Sequence, residues 1–142
     1  YIGAFIHKST DWQRVKQECK EHLWLKAKVA GQMTLLGFVY LWTGAKAREE
    51  NQAIVECISK DIQELGRECE IIILGDMNAH IEDIDGYTDS TGKMIMDMCE
   101  RHDLIICNST KECEGQITWV VGRLQSTINY ALMSHKMYDK LR

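Results

Sequence analysis

Proline is absent from all 142 residues, and no two of the six cysteines stand in a C-x-x-C pair. The first absence removes the usual marker of a rigid linker, and no shift of composition divides the chain. The second argues against a zinc ribbon or a dithiol redox motif. No apolar run approaches the roughly 18 residues of a membrane span. No charged segment followed by an apolar stretch opens the chain as a signal peptide would. The expectation is an intracellular protein, nuclear or cytoplasmic and not secreted, with free thiols and no membrane contact. Basic residues are in deficit too: 17 Lys and Arg face 21 Asp and Glu, a net charge of −4. That excludes a broadly basic nucleic-acid-binding surface and leaves room for a local groove. There is no internal repeat and no low-complexity tract. The chain starts with Tyr1 rather than Met, as expected of a processed protein or a piece of a longer one.

What is present points to one domain with a real core, since 45% of the residues are hydrophobic and the length is short for two cores. "YIGAFI" reads as a buried strand and Thr10 to Glu21 as a helical turn or exposed loop. "HLWLKAKV" alternates, with Leu23, Leu25, Ala27 and Val29 on one face, so it reads as a half-buried strand. Gly31-Gln32 punctuates, and "MTLLGFVYL" completes an antiparallel hairpin. Ile54, Ile58, Ile62 and Leu65 recur at helical spacing within Lys46 to Leu65, ahead of the stop at Gly66. "EIIIL" is continuous rather than alternating, the pattern of a strand covered on both faces. Ser90 or Thr91 is expected to cap a helix whose Met94, Ile95, Met98 and Cys99 face the core, with Met96 pointing elsewhere. "DLIIC", "QITWVV" and "TINYALM" supply three more strands. The sum is an α/β fold built on a mixed sheet.

The informative stretch is "IIILGDMNAH", Ile71 to His80. A buried strand runs into Gly75, where the backbone can turn and approach a ligand closely. It ends on Asp76 and Asn78, two positions apart and so on one side of an extended chain. A carboxylate and a carboxamide there can accept from a water, hold a hard cation and donate to an anionic oxygen. The same residue types also serve to satisfy local backbone groups where strands turn into loops. His80 lies on the same side as Asn78. The acidic residues Glu82, Asp83, Asp85 and Asp89 do not make a calcium loop, because Ile81 fills the first ligand position, and a solvated loop is expected.

The order "GFVYL", helix, "IIILGDMNAH", "GQITWVV", "STINYALMS" resembles the endonuclease/exonuclease/phosphatase superfamily of metal-dependent phosphodiesterases. Within it the chain is most similar to the apurinic-type endonuclease domains of non-LTR retrotransposons, of the arthropod kind. The resemblance covers nearly the whole chain and implies a partial four-layered α/β sandwich with mixed β-sheets flanked by helices. It implies that Asp76 activates the attacking water, that Asn78 touches the scissile phosphate and helps organise the metal, and that Tyr40 hydrogen-bonds the phosphate. Asp76 and Asn78 are the implied ligands of Mg2+ or Mn2+. Ser126, Trp119 and His80 are candidate substrate contacts. Trp119 is expected to pack in the core or at its rim unless it lies beside a flipped nucleotide, and Trp42 to line the cleft or shield the strand end. DNA is the implied substrate and the reverse transcriptase domain of the same element a possible partner. Relatives that act on phospholipids or inositol phosphates fit the T-W and S-x-I-x-Y context less well.

Three departures bear on activity. The superfamily's S-x-I-D-Y reads Ser126, Thr127, Ile128, Asn129, Tyr130, so Asn129 stands at a catalytic position where an Asp orients a histidine. The C-terminal Ser-Asp-His segment and the N-terminal metal-Glu segment have no match in residues 1–142. Glu18 and Glu21 lie on the wrong side of the first strand to replace the Glu, and His135 reads as a surface residue. A weakly active or inactive endonuclease-like domain is expected. The alternative is a non-catalytic relic that binds nucleic acid or protein. Sheet edges left open in such a fragment would favour pairing and low stability.

Overall fold

A computed structural model describes residues 2–15, 19–44 and 47–142. Tyr1, Glu18 and the expected helix start at Lys46 lie outside the described residues. The strands are β1 (Trp12–Arg14), β2 (His22–Val29), β3 (Gln32–Tyr40), β4 (Glu70–Asp76), β5 (Leu104–Ile106), β6 (Trp119–Val121), β7 (Leu124–Ser126) and β8 (Asn129–Ser134). The helices are α1 (Ala47–Leu65), α2 (Glu82–Asp85), α3 (Ser90–His102) and α4 (His135–Leu141). Six strands form one mixed sheet in the order β1-β2-β3-β4-β8-β5, and β6 and β7 pair separately as a hairpin. The mixed α/β class expected from the sequence is what forms.

Local chemistry accounts for the central part. The β2–β3 turn is Ala30-Gly31, both with positive φ (47° and 79°), the pair of left-handed conformations a two-residue hairpin turn demands. Register follows directly, from Val29 opposite Gln32 to His22 opposite Val39. The chain then crosses through α1 and returns as β4, parallel to β3, because a parallel neighbour needs a crossover and a helix supplies it. β8 lies antiparallel on the other side of β4. The apolar stripe of α1, Ile54, Val55, Ile58 and Ile62, joins Ile95, Met98 and Cys99 of α3. Both pack on Trp24, Leu35, Ile71, Ile73, Tyr130 and Leu132 of the sheet. Each fully buried aliphatic side chain is worth about 1.5–3 kcal/mol.

Several expectations need correction. Residues 2–6 are not a strand; they pass over the sheet face opposite the helices, against Leu23 and Leu25, with Phe5 in solvent. Residues 12–14, expected in a turn or loop, pair with β2 and form the sheet edge. β2 is not half-buried: His22 and Trp24 are covered as fully as Leu25 and Ala27, because α1 lies over what reads as the polar face. α3 is capped by Asp89, not by Ser90 or Thr91; its carboxylate accepts from the N–H groups of Gly92 (2.7 Å) and His80 (3.2 Å). "QITWVV" is a strand only over Trp119–Val121, and none of those three residues is buried. Among the described residues, no helix is long and apolar enough to cross a membrane.

Candidate active site

Parallel and antiparallel register across β3, β4 and β8 decides what stands beside what. Tyr40 is level with Asp76, and Asp76 is level with Asn129. Neighbours in register share a face, so the three side chains form a row across three adjacent strand ends. They belong to the face that Leu74 leaves partly exposed, opposite the helix-covered core. Asp76 and Asn129 line an open hollow of about 440 Å3 together with Leu74, Ala131 and Ile2. Tyr40 lines the adjoining hollow with Trp42, Lys20, Glu21 and Ile2. Its ring meets Trp42 edge to face at 5.5 Å, so Trp42 borders the cleft.

Asp76 is the pivot of the row. Its Oδ1 is buried and has no hydrogen-bond partner among the described residues. Burial pushes its carboxyl above the usual range, while a hydrogen bond from the Asn78 backbone N–H opposes this. The thermodynamic sign follows. A carboxyl whose pKa is raised by folding contributes most below the unfolded value, and that contribution is lost as pH rises through the raised value. The ionised group therefore strains the fold at neutral pH. Asp76→Asn is expected to melt above the wild type at pH 7 in chelator, with the gap closing on acidification; thermal melts across pH check it.

β4 ends at Asp76, and Asn78 takes the left-handed conformation, with φ of 44°, which Asn tolerates better than most residues. Its carboxamide turns back to donate from Nδ2 to the Leu41 carbonyl at 2.8 Å. Leu41 N–H in turn bonds the Asp76 carbonyl at 2.9 Å. Asn78 thus ties the end of β3 to the end of β4. Gly75 also serves the fold rather than a ligand: a Cβ there would run into the Val39 carbonyl oxygen.

The "STINY" stretch divides by side. Tyr130 is buried in the helix-side core and donates its hydroxyl to the Ala79 carbonyl at 3.0 Å; burial pushes its ionisation far up. Asn129 faces the hollow. Its backbone N–H bonds Thr118 Oγ1 (3.1 Å) and its carbonyl accepts from Asn108 Nδ2 (3.1 Å). Ser126 and His80 come together elsewhere, around Asp85. Ser126 Oγ and Asp85 Oδ2 both sit on His80 Nδ1, at 3.3 and 3.2 Å. With both groups on one ring nitrogen, this is no serine-protease relay, which needs a nitrogen for each. Asp85 also takes the Thr127 N–H at 3.4 Å. Its side chain is only 10% exposed, so the solvated reading fails at Asp85, whereas Glu82 and Asp83 are exposed as expected. Trp119 stands on the β6–β7 hairpin at 38% exposure, outside the core and in keeping with the rim position that was the other half of the expectation. His135 is a surface residue paired with Asp103.

Three supporting residues escape a reading of motifs. Asn51 is buried in α1, accepting from Trp42 N–H at 2.8 Å and donating to its carbonyl at 2.9 Å. It sits on the same stripe as Ile54, Ile58 and Ile62, and one amide on an apolar stripe was the signal. Asn108 and Thr118 hold the backbone of β8; Thr118 belongs to the T-W pair, but that pair does not disclose this supporting role, and nothing in the sequence marks Asn108.

In comparison with known proteins, the sequence profile described as endonuclease-reverse transcriptase matches residues 38–141. No curated protein sequence matches. Among solved structures, the chain resembles the endonuclease domain of TRAS1, a telomere-specific non-LTR retrotransposon. The TM-score is 0.70 at 19% identity, over 94% of this chain and 59% of that one. It also resembles the catalytic domain of human Nocturnin with bound sulfate, at TM-score 0.56 and 14% identity, over 87% and 48%. A humanised zebrafish TDP2 carrying 14 mutations follows at 0.54 and 13%, over 87% and 52%. The chain thus spans about half to three-fifths of the length of these structures, and at such identities the likeness is one of fold. The profile match, across most of the chain, is one of family, and the chain belongs to the endonuclease-reverse transcriptase family.

Proposed function

We propose that this domain provides the central part of a metal-dependent phosphodiesterase site acting on DNA, with weak or no turnover from these 142 residues alone. The observation that carries the reading is the row Tyr40, Asp76, Asn129, with a buried carboxylate oxygen that has no hydrogen-bond partner among the described residues. Asp76 would take a proton from an attacking water. Tyr40 can donate to a phosphate oxygen, and Asn129 stands where a carboxylate would orient a histidine. Asn78 acts through the backbone, holding Tyr40 and Leu41 against Asp76. The donor set fits one hard divalent cation, magnesium or manganese, with Asp76 as the protein carboxylate and water completing the shell. When bound, such an ion would offset charge developing on the phosphate oxygens. Trp119 on its hairpin offers an aromatic face to an unstacked base. A reverse transcriptase domain of the same element is the proposed protein partner.

Nicking of supercoiled plasmid and abasic duplex in magnesium tests this. Any turnover is expected to fall by two orders of magnitude or more in Asp76→Ala, roughly the scale of a lost general base. Turnover that survives Asp76→Ala ends the proposal. A second reading, a non-catalytic domain that binds DNA or protein, draws on the exposed Ile117, Val120, Val121 and Leu124 around the hairpin. Salt-dependent DNA binding without nicking would favour it.

A further inference from the structure

Cys19, His22 and Cys57 lie outside the row described above, and the phosphodiesterase reading uses none of them. Cys19 precedes β2, His22 is its first residue, and Cys57 comes from the middle of α1. One ligand atom from each, two sulfurs and an imidazole nitrogen, lie within 4.8 Å of one another. Tetrahedral zinc with thiolate and imidazole ligands separates them by roughly 3.5–3.8 Å, so small side-chain movements would close the set. The surroundings match such a centre. His22 is buried, and its Nε2 lies 2.7 Å from Asp61 Oδ2, which also accepts from Trp24 Nε1 at 2.9 Å. A carboxylate on one ring nitrogen orients the other toward a metal, a common arrangement behind zinc-bound histidines. The Cys57 and Cys19 sulfurs lie within 4.8 Å of each other, and Cys19 donates to Glu21 Oε2 at 3.3 Å. Cys19-Lys20-Glu21-His22 is a C-x-x-H spacing, missed when only paired cysteines are counted.

We propose that Cys19, His22 and Cys57 form a binding site for zinc or a similar thiophilic divalent ion, clipping the start of β2 to α1. Water would complete the fourth position. Binding displaces two thiol protons to solvent and leaves two thiolates and a neutral imidazole on the ion. Two sulfurs select against magnesium, so this centre and the oxygen-based one at Asp76 would take different metals. The clip bears on the site mechanically, because the Glu21 carbonyl accepts from the Tyr40 N–H at 3.1 Å. The inference does not rest on the phosphodiesterase reading.

Cobalt titration of the intact chain in a phosphine reductant tests it. One equivalent is expected to give sulfur-to-cobalt charge transfer in the near ultraviolet and tetrahedral bands in the visible, both bleached by zinc. Cys19→Ser with Cys57→Ser should abolish both, with a metal-free melt as the folding control. Asp61→Asn retains all three ligands and should weaken binding about 10–100-fold. Asp76→Ala and Cys107→Ser should leave the spectrum unchanged. Absence of the charge-transfer band in the wild type, or its survival in the double serine variant, overturns the proposal.

Discussion

Asn129→Asp is expected to raise metal-dependent nicking by about ten-fold at least and by on the order of 10⁴ at most, the scale of the comparable Asp/Asn exchange in a serine-protease triad. The substitution is nearly isosteric. The backbone of Asn129 is already held by Thr118 and Asn108, so charge is what changes. A second carboxylate beside Asp76 adds an oxygen donor for a hard cation and removes an NH2 donor that can select the wrong imidazole tautomer. Without a cation the same change is unfavourable: like charges in register raise each other's pKa. The variant should therefore melt below the wild type in chelator and recover in magnesium. The lower figure is expected for the 142-residue chain, which has no Ser-Asp-His motif. A longer reading frame that supplies one should move the gain toward the upper figure. Equal nicking rates for the two proteins would show that position 129 does not have the assigned role.

Trp24→Ala is expected to destabilise the fold by about 3–5 kcal/mol, the range for deleting a fully buried large aromatic. The indole is 1% exposed. It covers Gly37 on β3, where a Cβ would collide with the ring, and its N–H reaches Asp61. Truncation opens a cavity between β2 and α1 and removes one donor from the Asp61 carboxylate. Against a typical total of roughly 5–15 kcal/mol, much of the stability would go. Urea unfolding followed by circular dichroism measures it. Trp24→Phe retains much of the ring and separates packing from the hydrogen bond. A loss below about 1 kcal/mol for the alanine variant would mean the ring is not packed as described.

The hairpin, the crossover helix and the Ile-rich strand were legible because each is a local pattern. A tight turn needs residues that accept positive φ, α1 repeats its isoleucines at helical spacing, and β4 is continuously apolar. The candidate row was half legible. Asp76 and Tyr40 end recognisable strands, whereas their adjacency depends on register. The tie from Asn78 to the Leu41 carbonyl was not legible, because its partner is 37 residues away in the chain. β2 was misjudged because His22 and Trp24 read as a polar face until α1 covers them.

By itself, the sequence determined the class of the fold, the family motif and the strand ends that carry it, since those follow from residue periodicity and short-range backbone preference. Only the tertiary structure decided that Asp76 stands between Tyr40 and Asn129, that Asp85 is enclosed by Ser126 and His80, and that Cys57 meets Cys19 and His22. Those groups come from separate elements, and their distances are set by sheet register and helix packing, which no local spacing encodes.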